Sequence, residues 1–146
     1  MFKTTKNGKM PTRATKYSAC VDLYANEDVI IWAGETARIG LGVKIDFDAL
    51  WKNLKWYTKL FSLFSKHLFK LKHYLQLAPR SSLRAKGLIS GQGYIDLDYP
   101  DEIKLIVHNP IDSESWINNE DMNNYKIKKG DRIAQITLLE HKSYLF

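Results

Sequence analysis

The sequence has a single cysteine, Cys20, and no apolar run behind the charged residues at its start. One cysteine excludes a disulfide within the chain, so nothing in the sequence points to an oxidising compartment. The segment Met1–Lys6 lacks the apolar stretch of a secretory signal, and we therefore expect a cytoplasmic protein.

Acidic residues are absent between Ala49 and Gln76, where six lysines occur. The 146 residues carry a formal net charge of +6, and outside this segment basic and acidic residues are equal in number. The positive charge therefore belongs to one segment, and the rest of the chain gives no sign of polyanion binding beyond a local site. The length and composition are those of one soluble globular domain.

Helical periodicity is also lacking outside that segment, where the signals are those of short strands. Val43–Phe47 alternates apolar and polar residues, Glu102–Val107 nearly does, and Arg132–Leu139 has its apolar residues on one face. Shorter strands are predicted at Cys20–Tyr24, Val29–Ile31, Thr36–Ile39 and Tyr74–Leu77. This pattern predicts an all-β sandwich or barrel and not a parallel βαβ sheet.

The basic segment has apolar residues at heptad spacing. They are Leu50, Leu54, Tyr57, Phe61, Phe64, Leu68 and Leu71. Without Gly or Pro, this seam predicts one amphipathic helix over Leu50–Leu71, about 33 Å long. We take residues 49–74 as a helical basic insertion within a single domain, and residues 112–124 as a polar loop.

Two interpretations of the insertion are open. In one, the helix packs its heptad face on the domain or on neighbouring subunits, and its lysines are solvated. In the other, the basic helix 50–71 contacts a membrane surface, a nucleic acid or a partner protein. Its lysines are too frequent for a helix that spans a bilayer.

Two polar stretches in the middle of the chain have candidate chemistry. In Pro79–Gly87, an arginine, two hydroxyls and further basic residues could hold phosphate oxygens, or Ser81 or Ser82 could simply cap a short helix. In Gly91–Tyr99, two glycines precede Asp96, which could deprotonate a water or be a solvated acid at the end of a hairpin.

A third stretch, Lys129–Ile136, is a turn followed by a strand, and its Gln135 could bind a phosphate oxygen or lie on the solvent face. Taken in order, these stretches resemble the motifs of the dUTPase family, which hydrolyses dUTP to dUMP and pyrophosphate. Pro11–Thr15 with Ala19–Ala25 resembles the first motif, and Pro79–Gly87, Gly93–Glu102 and Gly130–Thr137 resemble the second to the fourth. The resemblance covers most of the chain from Pro11 to Leu139, without the insertion and the polar loop.

The resemblance implies a dUTPase-like jelly-roll or β-barrel of the β-clip type. It also implies a homotrimer with active sites between subunits, and Mg²⁺ on the triphosphate. Carried over to this sequence, Asp96 would activate the water that attacks the α-phosphorus of dUTP, and Tyr99 would pack beneath the deoxyribose. Asp22 would act on the metal indirectly, by positioning metal-bound waters or phosphate-contacting groups.

The other implied contacts divide between the base and the phosphates. Uracil would be held in a β-hairpin around Ser90–Ile95, largely by backbone groups, and these substrate-binding residues are Ser90, Gly93, Tyr94 and Ile95. The phosphates would be contacted by Arg80, Ser81, Ser82 and Gln135.

This sequence departs from the family pattern at several positions. Cys20 replaces a glycine of the first motif, Ser90 replaces an asparagine, and Tyr99–Glu102 differs at its two central residues. The residues after Gln135 do not resemble the glycine-rich fifth motif, which closes the site. We expect dUTP binding with slow turnover, unless the chain is truncated or another polypeptide supplies that motif.

Two alternatives to dUTP hydrolysis are a dCTP deaminase and a regulatory binding protein on the same scaffold. The deaminases have a catalytic Glu ten residues after the acid that aligns with Asp96, and this chain has Ile106 there, which cannot shuttle protons. The regulatory protein would bind nucleotide or act through the basic insertion.

Overall fold

In the computed structural model, which describes residues 1–61, 65–111 and 124–145, the chain folds mainly into short β-strands. The strands are β1 (Phe2–Thr4), β2 (Val21–Tyr24), β3 (Val29–Ile31), β4 (Thr36–Gly40), β5 (Val43–Ile45), β6 (His73–Pro79), β7 (Gly93–Asp96), β8 (Lys104–His108), β9 (Tyr125–Ile127) and β10 (Arg132–Glu140). The helices are α1 (Phe47–Asn53), α2 (Trp56–Phe61), α3 (Lys66–Lys72) and α4 (Ser81–Arg84), and a 3₁₀ turn covers Ser143–Leu145.

The strands pair as four antiparallel sheets. The largest has the order β2–β10–β6–β7, and the others are the pairs β1–β5, β3–β9 and β4–β8. Over the described residues these sheets are not closed into a barrel. The all-β prediction is confirmed, with small shifts of the strand ends.

One such shift is at β5, which stops at Ile45 although the alternation pattern continues to Phe47. The Asp46 carboxylate accepts a hydrogen bond of 2.9 Å from the Ala49 N–H and caps α1, so the chain turns into a helix there. Along β6 the alternation is kept, because Leu75, Leu77 and Pro79 are buried and the residues between them are partly exposed. Leu75 and Leu77 join the hydrophobic core between the sheets.

The prediction of one continuous helix over Leu50–Leu71 is wrong. The backbone of Leu54 is extended, with ψ at 135°, and ends α1, while Ser65 caps α3 by accepting a hydrogen bond from the Leu68 N–H. In the seam, Phe64 lies outside the described residues, and of Phe61 only the backbone is described. The predicted loop at 112–124 also lies outside them, except for Asn124.

Aromatic packing explains why the helix is broken. In one helix, the rings of Trp51 and Phe69 would be about 27 Å apart. In the folded segment their centroids are 5.9 Å apart, and Phe47 packs against both. Phe69 is only 2% exposed. Folding the segment back therefore buries aromatic surface that a straight helix would leave in water.

Several described side chains of the insertion are exposed. On α2, Trp56 is 72% and Tyr57 44% exposed, and Lys66 on α3 pairs with Asp48 at 3.0 Å. That hydrogen bond and charge pair lower the pKa of Asp48 below its usual value. No helix in the described ranges is long and apolar enough to cross a membrane. The predicted contact of this segment with a membrane surface, nucleic acid or partner protein stays a prediction.

Replacing Phe69 by alanine is expected to lower the free energy of unfolding by about 3–5 kcal/mol, because the change leaves a cavity among packed rings. Leu71→Ala on the same helix is the control, since Leu71 is 44% exposed. The Leu71→Ala variant is expected to lose less than about 1 kcal/mol of unfolding free energy. Urea denaturation measures both, and equal losses would contradict this account of the insertion.

Candidate active site

A basic cleft lies where β6 ends and β10 begins. Its volume is about 330 Å³, and its lining includes Arg80, Ser82, Lys86 and Arg132. The two strand ends are joined because Ala134 pairs with Pro79 and the Arg80 N–H donates to the Ile133 carbonyl at 2.9 Å. Backbone pairing therefore brings two stretches that are far apart in the sequence to one cationic surface.

Asp22 pairs with the two arginines of this cleft. It lies on β2 and is 5% exposed. Its Oδ1 accepts a short charge-assisted hydrogen bond from the Arg80 guanidinium, and its Oδ2 lies 3.5 Å from Nη1 of Arg132. A buried carboxylate is costly without a partner, so Asp22 and the Arg80 guanidinium fix one another. Arg132 is close enough for an ion pair but does not hydrogen-bond the buried Oδ2. Of the two implied roles of Asp22, this geometry favours the positioning of phosphate-contacting groups.

Of the predicted phosphate-contacting residues, Arg80 and Ser82 line the basic cleft, and Gln135 and Ser81 are placed by the backbone next to its elements. Gln135 is half-buried on β10, between Asp22 on β2 and Ala78 on β6. Ser81 and Ser82 are exposed in the first turn of α4, whose N-cap is Arg80 and has no side-chain capping bond. Neither serine is the N-cap, so the alternative interpretation of this stretch does not apply.

Arg132 and Lys86 are cations of this cleft that the sequence interpretation missed. Arg132 is 54% exposed at the side chain and follows the Gly-Asp turn of the fourth motif, which is the signal that could have identified it. Lys86 belongs to the second motif, and its Nζ lies 5.0 Å from the ring centroid of Tyr125. The hydrogen bond with the Tyr125 hydroxyl raises the pKa of Lys86 above its ordinary value.

A second cleft, the acid cleft, lies around the end of β7. It measures about 390 Å³ and is lined by Tyr94, Ile95, Asp96, Tyr99 and residues of β4 and β8. Asp96 is the last residue of β7 and is exposed, and Tyr99 is 40% exposed. Four predicted substrate-binding or catalytic residues therefore share one cleft.

The loop before β7 is held against β8. The Ser90 hydroxyl donates to the Ile106 carbonyl at 2.7 Å, and Ile89 forms an isolated bridge with His108. Gly93 begins β7, which pairs with β6. The segment Ser90–Ile95 is thus an anchored loop leading into a strand of the main sheet, and not the local hairpin that was expected.

Sequence reasoning also missed Arg38 and Lys104, which line the acid cleft. Arg38 and Ile106 face each other across the β4–β8 pair, so the register brings this arginine to the cleft. Glu102 of the third motif lies elsewhere, because its Oε1 accepts hydrogen bonds of 2.6 Å from the Gly42 N–H and from the Asn26 amide. It therefore tethers loops and is not part of the reacting site.

The acid cleft and the basic cleft are apart within one chain. Asp96 pairs with Tyr74 on one edge of β6, and Gln135 pairs with Ala78 on the other edge. Four residues along the strand and two strand spacings separate the two backbones by about 16 Å. A single chain therefore does not bring Asp96 to Arg80, Ser82 and Gln135, although it collects each half of the predicted site.

Comparison with known proteins gives the same family at the level of sequence. The sequence profile of the dUTPase family matches residues 57–145. The deoxyuridine 5'-triphosphate nucleotidohydrolase of Debaryomyces hansenii is 29% identical over 139 residues, which cover 94% of this chain and 67% of that protein. The variola virus protein of the same name is 31% identical over 134 residues, 92% of this chain and 69% of its own length.

Solved structures show the same fold. A dUTPase mutant of Staphylococcus bacteriophage 80alpha with dUpNHpp superposes with a TM-score of 0.72 at 20% identity, over 98% of this chain and 90% of that one. A dUTPase mutant from phage phi11, described as coordinating a structural Mg(II) ion, gives a TM-score of 0.73 at 19% identity, over 98% and 91%. These likenesses confirm the expected dUTPase-like jelly-roll fold.

Asp22→Ala is expected to lower the free energy of unfolding by about 1–3 kcal/mol, because it leaves the Arg80 guanidinium, 29% exposed, without its partner. Arg132→Ala is the comparison, since Arg132 is more exposed, and its cost is expected to stay below about 1 kcal/mol. Chemical denaturation of both variants measures the difference. Equal losses of unfolding free energy in the two variants would contradict the larger contribution that we assign to the pair of Asp22 with Arg80.

Proposed function

This chain belongs to the dUTPase family, and we propose that it hydrolyses dUTP to dUMP and pyrophosphate by attack of water on the α-phosphorus. The observation that carries the proposed mechanism is the exposed carboxylate of Asp96 at the mouth of a cleft lined by Tyr99 and Ile95. A carboxylate in that place can orient a water molecule and accept its proton.

In the proposed reaction the water oxygen forms a bond to the α-phosphorus, and the bond between that phosphorus and the oxygen bridging to the β-phosphate breaks. Pyrophosphate leaves, and the proton of the water passes to the Asp96 carboxylate. The deoxyribose packs on Tyr99, and backbone groups around Gly93, Tyr94 and Ile95 hold uracil. Ser90 keeps this loop in place through its hydrogen bond to the Ile106 carbonyl.

The phosphates lie on the basic cleft, where Arg80, Ser81, Ser82 and Gln135 contact them. Arg132 adds a second guanidinium, whose Nη1 lies 3.5 Å from the other oxygen of Asp22. Arginine suits this task because its planar group binds two phosphate oxygens at once. Since the basic cleft and the acid cleft of one chain are apart, the basic cleft comes from a neighbouring copy in a homotrimer.

Mg²⁺ is proposed as an ion held by the substrate. The described part of the chain has no group of three or more His, Cys, Asp or Glu that could hold a metal, and both oxygens of Asp22 face arginines. This arrangement fits an ion that is bound through the phosphate oxygens of the substrate. Asp22 would act on that ion only indirectly. The ion supplies neutralisation of the phosphate charge.

Deamination of dCTP is not favoured by the acid cleft. Ile106 lines that cleft, and its side chain is 56% exposed. An apolar side chain at this place cannot carry protons to and from a leaving amine.

Pyrophosphate release is expected from dUTP, with little from UTP or dTTP. Asp96→Asn is expected to lower turnover by about 10²–10⁴-fold, because an amide cannot accept the proton, while dUTP binding is largely kept. A coupled pyrophosphate assay and a binding titration measure the two quantities. Wild-type turnover by the variant would refute the role of Asp96, and ammonia release from dCTP would favour deamination.

Subunit mixing tests the shared site. Asp96→Asn and Arg80→Ala subunits are each expected to be inactive alone, because every site then lacks one half. After co-refolding in equal amounts, a mixed trimer contains one intact site, so about a quarter of the wild-type activity is expected to return. Mixing without unfolding is the control, and a refolded mixture that stays inactive would contradict a site built from two copies.

A further inference from the structure

Asp96 also lines a second cleft, of which the inserted segment forms part of the wall. This insert cleft measures about 330 Å³. Its lining includes Asp96 and Asp98 of the β7 end, His67, Lys70 and His73 of the insertion, and His141 after β10. The insertion therefore reaches the residue that is proposed to activate water.

Strand register produces this arrangement. Helix α3 of the insertion ends at Lys72, and β6 begins at His73, one residue before the partner of Asp96. On the other edge of β6, His73 pairs with Glu140, and the His141 N–H donates to the Lys72 carbonyl at 2.8 Å. The end of the insertion and the end of β10 are thus fixed beside Asp96 by backbone hydrogen bonds.

His67, Lys70 and His141 can donate hydrogen bonds to an anion, and contacts of the last two fix their orientation. The Ser143 N–H donates to Nδ1 of His141 at 3.2 Å, so the neutral imidazole has its hydrogen on Nε2. Nζ of Lys70 lies 4.9 Å from the ring centroid of Phe47, a cation–π contact that holds the ammonium group in place.

His73 differs from these two residues. Its Nδ1 lies 2.8 Å from the Phe69 carbonyl, which can only accept, so Nδ1 carries the hydrogen and Nε2 of the neutral ring is an acceptor. Its ring also stacks on Phe69, with the centroids 4.0 Å apart. His73 therefore supports the wall, and Lys70 and His141 are the donors whose orientation is fixed by a described contact.

We propose that the insert cleft binds the phosphate chain of the nucleotide beyond the α-phosphorus, with Lys70 and His141 as ligands of its oxygens. The inference rests on the proposed function. A nucleotide whose sugar lies on Tyr99 in the acid cleft passes Asp96 at its α-phosphorus, and the insert cleft adjoins Asp96. The basic cleft of the neighbouring copy then contacts the chain from another side.

The test compares a non-hydrolysable imido analogue of dUTP with dUMP, because dUMP has no phosphate beyond the first. Calorimetric titration of the full chain gives both affinities. Lys70→Gln is expected to weaken analogue binding by about threefold to tenfold and to leave dUMP binding unchanged. Lys66→Gln removes one charge from the same helix outside the cleft, and it is expected to change neither affinity.

Lys70→Arg and His141→Gln separate binding from folding. The first keeps the positive charge, and the second can place an amide N–H near the position of Nε2, so both are expected to retain most of the analogue affinity. His141→Ala is expected to weaken analogue binding as Lys70→Gln does. Unfolding midpoints in urea identify any variant that is merely destabilised.

Equal analogue affinities of Lys70→Gln and Lys66→Gln, in an enzyme that binds dUMP and releases pyrophosphate, would overturn this inference alone. A parallel loss of dUMP affinity in Lys70→Gln would also overturn it, because the effect would then not concern the outer phosphates. A wild-type protein that neither binds dUMP nor releases pyrophosphate would contradict the proposed function, and the subsite with it.

Discussion

Strand β6 is hydrogen-bonded along both of its edges, and the organisation of the site depends on this constraint. One edge holds β7 with Asp96 near the start of β6, and the other holds β10 with Gln135 near its end. A paired strand cannot shorten or bend enough to bring two such points together, since its rise per residue is fixed by the extended backbone. Each chain therefore holds the two groups of candidate residues in separate clefts. If the acid cleft of one copy faced the basic cleft of another, the two copies together would form a complete site.

Charge burial organises the basic half. Asp22 is enclosed in the sheet, and its cost of burial is offset mainly by the Arg80 guanidinium, with Arg132 forming a longer ion pair at 3.5 Å. The Arg80 guanidinium consequently has a fixed orientation before any ligand binds. Preorganised cations of this kind lose little conformational freedom when they bind an anion, which suits a site for a multiply charged phosphate chain.

The insertion shows how aromatic packing can override periodicity. Its heptad pattern is continuous in the sequence, but α1 and α3 fold against each other so that Trp51 and Phe69 meet. The gain is burial of large rings, and the cost is a break at Leu54 with an exposed α2. Helix propensity contributes only tenths of a kcal/mol per residue, so the burial of one ring outweighs the loss of several helical residues. Lys70 lines the same cleft as Asp96, because α3 leads directly into β6, the strand that pairs with β7.

The sequence by itself determined the all-β class, because the alternation of apolar and polar residues indicates which residues face a core. It also determined the family, because four motifs occur in the family's order and contain the residue types that its chemistry needs. It also identified Asp96, Arg80 and Gln135 as candidates. Only the tertiary structure decided that Asp96 and Arg80 lie in different clefts, that Arg132 joins Asp22, and that the insertion is broken and reaches Asp96. These features depend on strand register and on contacts between distant residues, whereas the sequence pattern records only the preferences of neighbours along the chain.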